Sequence, residues 1–116
     1  MHAPDARVLV VDDDREMRET VAAALETEGY RVSCAENGAQ ALALMRGYRP
    51  EAIVLDLSMP VMTGWELLDA VHERRDLREV RVLVLSAMRA PAGVAHLDKP
   101  VSLDQLLATL DGMCGD

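Results

Sequence analysis

Positive charge is scarce in this chain: 12 Lys and Arg face 20 Asp and Glu, for a formal net charge of -8. That balance argues against nucleic-acid phosphate as a partner and suits a chain that binds a cation or a basic protein surface. No apolar run approaches the roughly 20 residues of a membrane span, and the opening MHAPDAR has no signal-peptide core. No membrane partner is therefore expected, and a cytoplasmic location follows. Cysteine is rare too: Cys34 and Cys114 show no metal-ligand spacing and no disulfide framework. Cys34 falls in an apolar, strand-like segment and is expected to be a small buried thiol. No repeat, low-complexity tract or linker interrupts the 116 residues, so a single domain over 1–116 with no appended effector domain is expected. Half the residues are hydrophobic, which argues against disorder.

What is present is an alternation. Residues 7–12, 30–35, 51–58 and 80–87 read as strands, with a short fifth within 93–100. Between and after them, 15–28, 37–47, 64–75 and 102–113 read as helices, with Asn37 and Ser102 placed to cap two of them. Strand three is almost continuously apolar, as expected of a strand covered on both faces. A β-α-β-α-β-α-β order followed by β-α means α/β architecture: a doubly wound, five-stranded parallel sheet with helices on both faces.

In such sheets ligands gather beyond the carboxyl ends of the strands. Strand one ends in Asp12 and Asp13, strand three in Asp56, strand four in Ser86 and strand five in Lys99. Carboxylates brought together repel one another and call for a counter-charge. Mg²⁺ is hard, prefers oxygen, and is usually held by one or two carboxylates with waters completing its shell; Mn²⁺ can replace it. A partly filled shell invites a phosphoryl group. The competing reading, solvated strand-end acids, requires two strands to end in acid by accident. Lys99 is the only lysine in the chain. A compact ammonium on a flexible stem suits a salt bridge to Asp13, Asp56 or a phosphoryl oxygen where a planar guanidinium would not fit. The Ser86 hydroxyl can donate to an anionic oxygen at the same edge. A dinucleotide site would instead need a Gly-rich turn after strand one, where acids stand here.

The set VVDDD, VLDLSMPVMTG, LSA and KP, in this order and spacing, resembles the receiver domains of two-component response regulators, including the single-domain chemotaxis type. The resemblance covers nearly the whole chain. It implies a flavodoxin-like sheet of order 2-1-3-4-5 and a phosphoryl group passed to Asp56 by a sensor histidine kinase or phosphotransfer protein. It further implies Asp12, Asp13 and the backbone carbonyl of Ser58 as metal-binding groups beside Asp56. Ser86 and Lys99 would contact the phosphoryl oxygens. Such a domain assists its own phosphorylation and dephosphorylation and is not a turnover enzyme on an external substrate. Its signal would pass by protein–protein contact to a target the sequence does not name. The alternative is an interaction module of receiver fold that no longer needs phosphorylation, against which the intact acid set and Lys99 argue. A haloacid-dehalogenase-type phosphatase, suggested by Asp12 and Asp14, is disfavoured because Glu16 replaces that motif's Thr or Val.

Two features depart from the family. Only the twelve residues AMRAPAGVAHLD separate Ser86 from Lys99, and Pro91 opposes a helix there, so the family's fourth helix is expected to be lost or reduced to a turn. Eight extended residues still span about 26–29 Å, enough to return along a strand of about 17 Å. Strands four and five carry Val82, Leu83, Val84, Leu85, Val94 and Leu97, and one alternating set would lose its cover without that helix. A partner, or a homodimer contact through the strand four and strand five edge with Met88 to Val94 nearby, is the expectation. His96 occupies the position three before the lysine, often aromatic in the family, and is a candidate switch residue.

Overall fold

The computed structural model describes residues 6–56, 64–74, 77, 79–86, 95–98 and 102–114. Its strands are β1 (Arg7–Val11), β2 (Arg31–Ala35), β3 (Ala52–Asp56), β4 (Arg81–Ser86) and β5 (Ala95–Asp98). They form one parallel sheet in the order β2-β1-β3-β4-β5, the order expected. Val8 pairs with Val32 on one side and with Ala52 on the other, which makes β1 the hinge of the strand order. The helices are α1 (Arg15–Thr27), α2 (Gly38–Leu44), α3 (Gly64–Glu73) and α4 (Leu103–Cys114).

Strand alternation sorts the core into two layers. Leu9, Val11, Ile53, Leu55 and Val84 point to the side covered by Ala41 and Met45 near α2 and by Leu67, Leu68 and Val71 of α3. Val8, Val10, Val54, Leu83 and Leu85 point to the other side, where Val21 and Leu25 of α1 meet Leu106 and Leu110 of α4. The central strand β3 is buried along its whole length. Leu55 is 1 % exposed, so its truncation to Ala would cost about 2–5 kcal/mol.

Local chemistry sets the element ends. Asp14 adopts extended backbone and its side chain accepts the Met17 N–H, capping α1. At the other end Tyr30 N–H bonds Leu25 O and Gly29 N–H bonds Glu26 O, with Gly29 at φ 96°. This is the glycine-terminated helix end that leaves the fewest orphan carbonyls. Asn37 and Ser102 accept from Gln40 N–H and Gln105 N–H, as their sequence positions foretold. Helix α2 is shorter than the sequence suggests: it stops at Leu44, and Arg46 and Gly47 close tighter i to i+3 bonds to Ala43 and Leu44.

Two expectations need correction. Cys34 is exposed on β2, an edge strand of the sheet. The face of β4 expected to be bare is not bare at Val84, which is fully buried, and Val82 is half-buried against the same cluster. The segment between β4 and β5, including Met88 to Val94 and the question of the shortened helix, lies outside the described residues. Among the described residues no helix is long and apolar enough to cross a membrane.

Candidate functional site

The register of β1 and β3 pairs Val11 with Leu55. Asp12 and Asp56 are the next residues out on these adjacent parallel strands, and Asp13 follows Asp12 into the turn toward α1. One carboxylate oxygen from each of Asp12, Asp13 and Asp56 lies within 4.8 Å of the others. Asp12 and Asp56 are buried, whereas Asp13 is exposed. At that separation like charges repel, most strongly between the buried Asp12 and Asp56 and less at the solvent-screened Asp13. A folded chain tolerates such crowding where a cation or donor groups offset it.

The turn that presents the acids is tightly bonded. Asp12 N–H donates to Ala35 O of β2 at 3.1 Å, continuing the ladder one residue past β1. Asp12 Oδ1 accepts Asp14 N–H at 2.9 Å. Arg18, one turn into α1, donates from Nη1 to Asp12 O at 2.8 Å. Arg18 was not singled out by sequence reasoning. Nothing in the spacing separates it from Arg15, which instead pairs with Glu19 in solvent.

Of the other expected site residues, Ser86 is the last residue of β4, with Asp56 in register with Leu85 just before it. Ser86 pairs with Asp98 of β5, the residue that precedes Lys99. His96 lies within β5 in register with Val84. The structure thus brings the backbone of Ser86 and the end of β5 to the edge that carries the acids. The Ser86 hydroxyl and the His96 ring lie outside what is described, as do Ser58 and Lys99.

A cleft of about 430 Å³ opens at the opposite end of the sheet, where Arg7 and Arg81 start β1 and β4 and Glu51 precedes β3. Its charges are mixed: Arg49 is bonded to Glu79 at 3.2 Å, and the Glu51 carboxylate accepts the backbone N–H of Arg7. Its lining combines three arginines, Arg7, Arg49 and Arg81, with the acids Glu51 and Glu79.

Residues 8–111 match the response regulator receiver domain family. The chain belongs to that family. The response regulator MprA of a Mycobacterium species (strain KMS) is 39% identical over 113 residues, which cover 90% of this chain and 48% of that protein. The receiver thus spans about half the length of the curated relatives it matches. The chemotaxis protein CheY4 of Vibrio cholerae superposes with a TM-score of 0.87 at 33% identity, over 96% of this chain and 99% of that one. The response regulator TrrA of Thermotoga maritima, solved in complex with Mg²⁺ and BeF, superposes at 0.82 with 26% identity over 92% of this chain and 97% of that one. The acids of this receiver suit the same kind of ion: three oxygen donors from a rigid edge and a turn, with room left for waters on the exposed Asp13 side.

Proposed function

We propose that this receiver accepts a phosphoryl group on Asp56 and that Asp12, Asp13 and Asp56 hold the Mg²⁺ (or Mn²⁺) the transfer requires. The observation that carries the reading is the meeting of three carboxylates within 4.8 Å at the carboxyl edge of β1 and β3. A carboxylate oxygen of Asp56 attacks the phosphorus of a phosphohistidine or small phosphodonor. The new O–P bond forms as the old N–P or O–P bond breaks, and the leaving group keeps the bonding electron pair. Bound there, Mg²⁺ supplies charge neutralisation for an anionic nucleophile meeting an anionic phosphoryl group. Asp56 is buried, and one of its carboxylate oxygens lies within 4.8 Å of those of Asp12 and Asp13. By family resemblance, the backbone carbonyl of Ser58 would serve the cation, and Lys99 and Ser86 would serve the phosphoryl oxygens. The domain acts on itself and signals through protein contacts, with a sensor kinase or phosphotransfer protein upstream.

The test is labelling by a small phosphodonor, followed by intact mass. The chain should gain one phosphoryl group in Mg²⁺ and none in EDTA, and Asp56→Asn should gain none. Equal labelling of Asp56→Asn would sink the assignment. An unlabelled wild-type chain that still binds a partner would favour a phosphorylation-independent module.

A further inference from the structure

We infer that Arg18 is a positioning residue for the cation site, acting on Asp13 through the peptide that joins Asp12 to Asp13. The three acids are not equally supported. Asp12 is buried, its N–H is bonded to Ala35 O and its Oδ1 to Asp14 N–H. Asp56 is buried at the end of the central strand. Asp13 is exposed, and among the described residues nothing bonds its carboxylate. Where that carboxylate points depends on the backbone that carries it.

The carbonyl oxygen of Asp12 and the N–H of Asp13 are opposite ends of one rigid peptide plane. Arg18 Nη1 holds that oxygen at 2.8 Å, so it fixes the plane from which Asp13 departs. Its own backbone N–H bonds Asp14 O at 2.9 Å, so the backbone that carries the side chain is held in the first turn of α1. Arg18 is half-buried and reaches back over the turn, unlike the exposed Arg15 nearby. A guanidinium donates along several fixed directions and suits a carbonyl at the base of a turn. Loss of a hydrogen bond that supports a metal ligand typically weakens metal affinity by roughly 10–100-fold.

Charge alone gives the opposite sign. Arg18 is a cation beside a cation site, so its removal would tighten Mg²⁺ binding if repulsion were its only effect. Positioning predicts weaker binding. The inference rests on the cation reading above, and two measurements on the full chain separate the two: Mg²⁺ titration by calorimetry, and labelling by a small phosphodonor. In Arg18→Met the half-saturating Mg²⁺ should rise about tenfold, while labelling at saturating Mg²⁺ stays near wild type. Arg18→Lys, which keeps a donor of different geometry, should fall between. Should Arg18→Met not fold, Arg18→Leu, which also lacks a donor, carries the same expectation. Half-saturation unchanged or lowered in the folded variant overturns the inference. A wild-type chain that binds Mg²⁺ without being labelled contradicts the phosphoacceptor reading alone, and one that binds no Mg²⁺ overturns both.

Discussion

Tyr30 is buried, and its hydroxyl donates to Asp111 Oδ1 at 2.6 Å, tying the end of α1 to α4. Burial, and then the bond to Asp111, push the phenol far above its ordinary 10.0. The neutral phenol is therefore the form the fold favours. Its stabilisation is complete below pH 10 and declines as pH rises past that value, because only the unfolded chain then loses the proton. Melting temperature measured across pH 8–11 should fall at the alkaline end. Tyr30→Phe should flatten that fall and cost about 1–3 kcal/mol at neutral pH. At the acid edge, Asp13→Asn removes one of three crowded carboxylates. In EDTA it should melt higher than wild type, and added Mg²⁺ should raise its melting point less. A variant no more stable than wild type in EDTA would show that the acids do not repel in the folded state. At this scale the sequence was informative where chemistry is concentrated. Asp12, Asp13 and Asp56 declare themselves by position at strand ends, whereas Arg18 and the exposure of Cys34 depend on neighbours brought in from elsewhere.

At the scale of elements, stop and start signals carried most of the information. The caps at Asn37 and Ser102 and the glycine at 29 stand where the chain says they should. These motifs are local, made within a few residues, so a sequence reading can see them. Gly29→Ala should cost about 1–2 kcal/mol, since a Cβ at φ 96° is strained. Urea titration would show this as a lower midpoint with unchanged slope. What was not legible was tertiary. Helix α2 ends early at Leu44, and Arg74 Nη2 then bonds Met45 O at 3.3 Å across from α3. Val84 is covered although its flanking sequence offers no clear helix to cover it.

Across the whole molecule, the parallel sheet and its two core layers follow from the alternation of strands and helices and from successive side chains facing opposite sides of β1, β3 and β4, whereas the strand order is implied by the family resemblance. The order β2-β1-β3 places two acid-ended strands side by side, and that adjacency turns scattered aspartates into one site. A cation that binds only the folded chain stabilises it by mass action. Melting temperature should therefore climb with Mg²⁺ in the wild-type chain. The most direct measurement of the central claim is where the phosphoryl group goes. After exposure to a phosphodonor in Mg²⁺, borohydride reduction converts an aspartyl phosphate to homoserine, and peptide mass spectrometry locates it. The expected result is homoserine at position 56 and at no other acid, lost when Mg²⁺ is chelated before phosphorylation. Homoserine at position 12 or 13, or none at 56 in a chain that is phosphorylated, would contradict the assignment.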